Sequence, residues 1–135
     1  MGLHAVYEKY GYYKEDVKSL TLKGIEGQEK IKNIMETLRS EAPGEIGGYP
    51  VVFARDYKKD TIISMKDGVI KPTGLPSSNV LYYDLTDGAW VCVRPSGTEP
   101  KVKLYYGVKG SSLEDGAARS QALGAAVQAL IEEKL

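Results

Sequence analysis

The sequence predicts an α+β domain, a mostly antiparallel sheet of about four to five strands with two helices on one face. The first observation is that strand-like segments follow one another in the middle of the chain, between segments with helical periodicity. The second is the turn signal "TDG" (Thr86–Gly88), which is typical of an antiparallel hairpin. The third is length, since 135 residues with 42% hydrophobic content suit one compact core and not two full domains.

The first segments of the chain contain two predicted helices and a strand. Leu3–Tyr13 has apolar residues at helical spacing and is ended by Gly11, either as a helix packed on the core or as the end of a longer unit. Lys18–Gly24 alternates leucines with polar residues and is predicted as a strand. A second helix is predicted between Gly24 and Ser40, with a core-facing stripe made of Ile31, Ile34, Met35 and Leu38.

The remaining strands are predicted from β-rich segments that turn residues separate. They are Tyr49–Tyr57, a weaker one within Asp60–Gly68, Asn79–Leu85, Ala89–Val93 and Val102–Val108. Lys71–Ser78 is predicted as a loop because it contains two prolines and a glycine. The last helix is predicted to begin after Ser111 or Ser112 as N-cap, with acidic residues in its first turn. Its buried stripe is formed by Leu123, Val127, Leu130 and Ile131.

The composition excludes several classes of function. Lysine plus arginine and aspartate plus glutamate both number 18, so no net field favours nucleic acid or an anionic membrane. Cys92 is the single cysteine, which excludes an internal disulfide and a multi-cysteine metal site, and it is predicted as a small buried residue. His4, the single histidine, is predicted to have no catalytic role. With no apolar run of about 20 residues and no secretory signal, the expected location is the cytoplasm.

The segment "RPSGTEPK" (Arg94–Lys101) has more chemistry than a hairpin turn needs. It lies between strand ends predicted near Val93 and Val102, and it is longer than the two to about five residues usual for hairpins. Its arginine matches phosphate with a planar fork, its serine and threonine add hydroxyl donors, and its glycine lets a ligand approach the backbone. Lys103 on the outgoing strand leans toward the same place, whereas Glu99 repels an anion. On chemistry alone, an anion-binding loop and a proline-braced structural turn both remain open.

The same segment resembles the signature of the C-terminal domain of the α-D-phosphohexomutases, the family of phosphoglucomutase and phosphomannomutase. "VYEKYGYY", "LKGIEGQEKIKNIMETLR" and "TGLPSSNVL" are similar to other stretches of bacterial members, so the resemblance covers nearly the whole chain. It implies a fold like that of the TATA-box-binding protein and a loop that binds the phosphate that is not transferred. The phosphate-binding positions it implies are Arg94, Ser96, Gly97 and Thr98, with a basic residue at Lys103.

The resemblance also implies what the chain lacks. Family members have four domains, and the phosphoserine, magnesium and sugar-recognition motifs of the first three ("TASHNP", "DGDxDR" and "GExSGH" types) are absent from this sequence. The expected division is residues 1–13 as the tail end of the third domain, with Met1 and Gly2 added by cloning, and residues 14–135 as the C-terminal phosphate-binding domain. No catalytic or metal-binding residue is expected in this chain, which is predicted to be inactive alone.

The expected partners are a hexose phosphate substrate and the remaining three domains, without nucleic acid or membrane. Mg²⁺ and a hexose 1,6-bisphosphate are expected as cofactors of the full-length mutase and not of this chain. Two alternatives stay open. One is a free-standing, non-catalytic module that binds a phosphoanion or nucleic acid, and the other is a structural domain whose loop is only a turn.

Overall fold

The computed structural model describes residues 12–22, 26–96 and 100–133. Within these residues the chain forms eight strands and two α-helices. In chain order they are β1 (Tyr12–Thr21), α1 (Gly27–Ser40), β2 (Glu45–Ile46), β3 (Tyr49–Asp56), β4 (Thr61–Ser64), β5 (Ile70–Lys71), β6 (Leu81–Leu85), a 3-10 turn (Thr86–Gly88), β7 (Trp90–Pro95), β8 (Lys101–Gly110) and α2 (Leu113–Glu133).

The strands form one antiparallel sheet, which confirms the predicted fold class. The order is β1-β8-β7-β6-β3-β4-β5, and β2 pairs with β3 on the side of this path. Eight strands are present where four to five were predicted. Six strand-like segments were identified along the sequence, and the two further strands, β2 and β5, have two residues each and are too short to show alternation.

The start of the chain differs from the prediction. Most of the predicted helix Leu3–Tyr13 lies outside the described residues, as does His4, but Tyr12 and Tyr13 belong to β1 and not to a helix. β1 is also longer than the predicted strand, which was placed at Lys18–Gly24. The domain boundary at residue 13 stays a prediction.

The helices cover only one face of the sheet. Along β8, Val102, Leu104 and Tyr106 are buried, while the alternate Lys103 is exposed and Tyr105 is half-buried. Both predicted helical stripes pack into one core with the buried strand residues, and they consist of Ile31, Ile34, Met35 and Leu38 from α1 and Leu123, Val127 and Ile131 from α2, with Leu130 packed beside them. The opposite face, which we call the open face, has neither described helix against it.

Two local predictions of chain geometry are confirmed. Between β6 and β7, Asp87 and Gly88 have positive φ values of 60° and 72°, as a two-residue hairpin turn requires. At the start of α2, the Ser112 Oγ accepts the Asp115 N–H over 3.0 Å, so Ser112 is the N-cap. The Asp115 carboxylate in turn accepts the N–H of Ser111, the residue before the N-cap, over 2.8 Å.

The first turn of α1 lies directly against the ends of β1 and β8. A Cβ added at Gly27 would be 2.1 Å from the Leu22 carbonyl oxygen and 2.9 Å from the Pro100 Cβ, so only glycine fits there. The Leu22 N–H also donates to the Pro100 carbonyl oxygen over 2.8 Å. Neither helix in the described ranges is long and apolar enough to cross a bilayer.

Candidate anion-binding site

Arg94 lies on a strand and not in the loop where the sequence predicted it. β7 continues to Pro95 and β8 begins at Lys101, so the connecting loop is residues 96–100. The Ser96 N–H donates to the Lys101 carbonyl oxygen over 2.9 Å and closes the base of this loop. Arg94 is therefore held by strand pairing, which fixes its backbone more firmly than a loop would.

Pro95 is the reason that β7 was predicted to end too early. It is paired with Val102 of β8, whereas the pairing of β7 with β6 stops at Val93, opposite Leu81. A backbone N–H at position 95 would point toward the β6 side, where none of the described strands pairs with this residue. Proline is tolerated in strands at such positions, so the strand continues through it.

Arg94 and Lys103 are partners in the β7–β8 register, and both side chains are exposed on the open face. Among the residues that the structure describes, neither forms an ion pair with a carboxylate. Side chains at paired positions of an antiparallel sheet have their Cβ atoms about 4.5–5.5 Å apart, and like charges in that position repel. An anion between the two side chains would convert this repulsion into two attractive contacts.

The other predicted phosphate-binding residues follow in the loop. Ser96 comes directly after β7 and is half-buried. Gly97 and Thr98 lie outside the described residues, as does Glu99, so their predicted roles and its predicted repulsion stay predictions. Of the five positions predicted from sequence, the structure thus describes Arg94, Ser96 and Lys103, and it brings all three to one end of the hairpin.

β1 adds two hydroxyl groups that sequence reasoning missed. Ser19 is paired with Lys103, and Thr21 is paired with Lys101, so these side chains also lie on the open face. We call the resulting set the cation–hydroxyl patch, and its members are Ser19, Thr21, Arg94, Ser96, Lys101 and Lys103. The alternation of Ser19 and Thr21 with Leu20 and Leu22 was a signal for their common face, but their partner strand lies about 80 residues further on.

Cys92 lies on the open face and not in the core where it was predicted. It is half-buried between Tyr82 of β6 and Tyr105 of β8. Burial raises the pKa of its thiol, and the positive charge of Arg94 offsets part of that rise. The prediction was wrong because "AWVCV" is apolar at every position, so alternation could not show which side chains point to the core.

Next to the patch, the open face is apolar and aromatic. We call the residues of this level the central row, and in register across four strands they are Val17, Tyr105, Cys92 and Tyr82. Beyond it, the Trp90 ring is stacked on Tyr82 with ring centroids 5.6 Å apart and planes 5° from parallel. A Cβ added at Gly107, the partner of Trp90, would be 2.3 Å from the indole Nε1, so the indole lies over bare backbone there.

A charged pair, Arg55 and Asp84, lies beside Tyr82. The Arg55 guanidinium carbon is 5.5 Å from the centroid of the Tyr82 ring, within the range of a cation–π contact. Arg55 Nε also donates to Asp84 Oδ2 over 2.7 Å. Desolvation, reinforced by the Asp84 charge, raises the pKa of Tyr82 to about 12, so its hydroxyl is neutral at physiological pH.

A separate polar cluster lies on the helix-covered face, beside a cavity of about 220 Å³. Arg39 and Asp56 form an ion pair at 3.2 Å, with side chains only 2% and 11% exposed. Asp56 Oδ1 also accepts the backbone N–H groups of Lys58 and Lys59. The nearby Tyr83 hydroxyl is buried and has no hydrogen-bond partner among the described residues. This cluster is on the opposite side of the sheet from the cation–hydroxyl patch.

The chain is similar to one characterised group of proteins. A model of the phosphoglucomutase/phosphomannomutase C-terminal domain family matches residues 54–122. Phosphoglucomutases of Staphylococcus aureus strains MRSA252 and N315 are 36% and 35% identical to the chain over 121 residues. The aligned part is 90% of this chain, but it spans only 22% of the length of those enzymes. A protein of Cytophaga hutchinsonii with a solution structure aligns at 13% identity and a TM-score of 0.30, over 92% of this chain and 88% of that one.

Proposed function

This chain belongs to the phosphoglucomutase/phosphomannomutase C-terminal domain family, and from that premise we propose that its cation–hydroxyl patch binds the phosphate of a hexose 1- or 6-phosphate that is not being transferred. The observation that carries the proposal is the direct opposition of Arg94 and Lys103 on the open face, with no carboxylate partner among the described residues. A dianion is the ligand that such a pair of cations accommodates best.

The residue types around this pair suit a phosphate group. Arg94 offers two parallel N–H donors, Lys103 offers a compact positive charge, and Ser19 is in register beside Lys103 with a hydroxyl donor. Ser96 adds a hydroxyl at the end of β7, and Gly97 and Thr98 stay predicted donors of the loop. None of these groups reads the sugar hydroxyls, so this site holds a phosphate without choosing among hexoses.

The expected affinity is low. Hydrogen bonds to a charged group contribute about 1.5–3 kcal/mol each, while association itself costs about 4–15 kcal/mol. Three or four contacts therefore leave a dissociation constant of about millimolar or weaker. In the mutase, binding energy from this remote phosphate would position the reacting end of the sugar.

We further propose that the chemical steps belong to parts of the mutase outside this chain, so the chain alone is inactive. Its described residues contain no group of three His, Cys, Asp or Glu side chains able to hold a metal, and the patch is cationic, so these residues do not fit Mg²⁺. No step is therefore assigned to a metal or to a hexose 1,6-bisphosphate here. The proposed partners are a hexose phosphate and the remaining domains of the mutase, and the cytoplasmic location stays a prediction.

The proposal is tested by titrating the 135-residue chain with inorganic phosphate and following backbone amides by NMR. Amides of Ser96, Arg94 and Lys103 should shift together and saturate at millimolar phosphate, and Arg94→Ala should weaken this binding. Shifts confined to other regions would refute the phosphate site. Labelled DNA at two salt concentrations tests the nucleic-acid alternative, since tight and salt-sensitive binding would favour it.

A further inference from the structure

We propose that the central row of the open face is the platform for the sugar ring, with the ring of the bound hexose phosphate placed against Tyr105. This inference rests on the proposed phosphate site and adds a second contact to it. Tyr105 then makes the domain prefer a hexose phosphate over free phosphate. The occupant is a phosphorylated pyranose and not a protein or a nucleic acid.

Tyr105 lies next to the cation–hydroxyl patch on the open face. It is two residues from Lys103 on the same strand and the same face, and Cys92 is likewise two residues from Arg94. Two residues along a strand cover about 6.6–6.8 Å. That is the scale on which a pyranose ring follows its own phosphate group, so a phosphate held at the patch leaves the ring over the central row. The opposite direction along β8 leads to Lys101, another basic residue of the patch, and only then into the loop.

The side chains of the central row form an apolar and aromatic surface. Val17 is 55% exposed, and Tyr105 and Cys92 are half-buried, so an apolar and aromatic surface faces solvent beside the cations. None of the four residues of the row, Val17, Tyr105, Cys92 and Tyr82, is acidic or basic, and the next position in register, Arg55 of β3, is paired with Asp84. Ligand sites combine such apolar surface with a few polar groups that fix orientation. A sugar phosphate matches both parts, because its ring carries C–H faces and its phosphate carries the charge.

The aromatic side chain at the end of the row, Tyr82, is held in place by its neighbours. Tyr82 is stacked on Trp90 and contacts Arg55, which Asp84 holds in turn. One wall of the platform is thus fixed before any ligand arrives, which lowers the entropy lost on binding. The Tyr82 hydroxyl is neutral, with a pKa of about 12, so it does not repel the phosphate.

Contact with the faces of a ring has a consequence for the range of substrates. An aromatic ring contacts C–H groups and does not depend on the direction of one particular hydroxyl. Glucose and mannose phosphates would then both fit, with either end of the sugar pointing toward the patch. Selection among hexoses would have to come from other parts of the mutase.

The test compares three probes on the 135-residue chain: inorganic phosphate, glucose 6-phosphate and glucose. We expect the chain to bind glucose 6-phosphate roughly 3- to 10-fold more tightly than phosphate, the range of one aromatic contact. Tyr105→Leu should reduce this preference to about one without changing phosphate affinity. Tyr105→Phe should retain the preference because the ring remains. Phe53→Leu is the matched control, since Phe53 is an exposed aromatic residue of the open face outside the central row.

The outcomes separate the two proposals. If phosphate binds but glucose 6-phosphate is not preferred, or if Tyr105→Leu leaves the preference intact, the platform is wrong and the phosphate site stands. If neither anion binds, the proposed function fails. A second measurement serves if Tyr105→Leu does not fold: saturation transfer from the sugar protons of glucose 6-phosphate to the Tyr105 ring in the unaltered chain. Transfer supports the platform, and transfer only to other residues overturns it.

Discussion

Arg94 and Lys103 face each other across β7 and β8, two positive charges in paired positions with no described carboxylate between them. If they share one phosphate, removing either charge should weaken phosphate binding. Lys103→Met keeps the length of the side chain and removes its charge. We expect the phosphate dissociation constant to rise by about 5- to 10-fold, the value of one charge-assisted contact at an exposed site. NMR titration measures this directly.

Lys109 provides the matched control for that substitution. It is exposed on the same strand and the same face but lies at the far end of β8, opposite Tyr13. Lys109→Met removes the same charge from the chain and should leave phosphate affinity unchanged. Equal losses from both variants would mean that phosphate responds to overall charge and not to the patch.

Gly107 should not accept a side chain. An alanine Cβ there would be 2.3 Å from Nε1 and 2.7 Å from Cε2 of Trp90, so the indole must move. We expect Gly107→Ala to lower the free energy of unfolding by about 1–3 kcal/mol, as overpacking does, and to break the stacking of Trp90 on Tyr82. The chain has one tryptophan, so a shift in its fluorescence maximum reports the displacement. An unchanged spectrum with unchanged stability would contradict the placement of the indole over Gly107.

The buried ion pair and the buried hydroxyl beside it should behave in opposite ways. Asp56→Asn leaves the Arg39 side chain, which is 2% exposed, without its counter-charge. Breaking such a pair from one side costs about 3–5 kcal/mol, and the lower end is expected because Arg39 also donates to Asn79. Tyr83→Phe removes a hydroxyl that has no described partner and should change stability by less than about 1 kcal/mol, in the stabilising direction. Urea denaturation of both variants measures the contrast, and a large loss in Tyr83→Phe would reveal a partner of the hydroxyl.

Asp60 should show a titration at unusually low pH. Its Oδ1 accepts the Thr73 hydroxyl at 2.5 Å and the backbone N–H groups of Thr73 and Gly74 at 3.0 and 3.1 Å. These hydrogen bonds, that of the Thr73 hydroxyl first, hold the pKa of Asp60 below its ordinary value of 3.8. A folded-state pKa that is depressed gives stabilisation that is fully present above the unfolded pKa and is lost as the pH falls through the folded one.

The Thr73 and Gly74 amide shifts should therefore titrate with a midpoint below that of an unperturbed aspartate. Asp60→Asn should abolish the transition at both amides, and asparagine tolerates the positive φ of 57° at this position. A midpoint at the ordinary aspartate value would show that this carboxylate does not hold the loop in solution.

How much the sequence revealed depended on whether the signal was local. The helical stripe from Ile31 to Leu38, the Asp-Gly turn and the serine cap of α2 were all predicted, because each depends on spacing within a few residues. Arg94 and Ser96 were named as phosphate-binding residues from the sequence, and that role stays a prediction, while the placement of Arg94 in the loop was wrong because it lies on β7. The proline that follows it is a strong local sign of a strand end, and only the pairing with β8 overrides that sign.

The first part of β1, before the predicted strand Lys18–Gly24, could not be recognised from local signals. The helix-facing side of β1 carries Asp16 and Lys18, which hide the alternation of a strand that is half buried. The structure shows why they are tolerated, since Asp16 accepts the Ser120 hydroxyl at 2.5 Å and Lys18 Nζ lies 3.3 Å from the Gln128 Oε1. Both partners come from α2, more than 100 residues away. Ser19 and Thr21 lie within the predicted strand, but their pairing with β8, about 80 residues further on, has no local signal.

The pairing of β1 with β8 also limits how far the chain can be shortened while the domain still folds. The family match covers residues 54–122, yet β1, α1 and the last turns of α2 lie outside it. A fragment trimmed to that span would leave β8 as a bare sheet edge, with a row of backbone N–H and C=O groups open to pairing with other chains. Such a fragment should aggregate, and grafts of this module into other proteins should carry the chain from β1 onward.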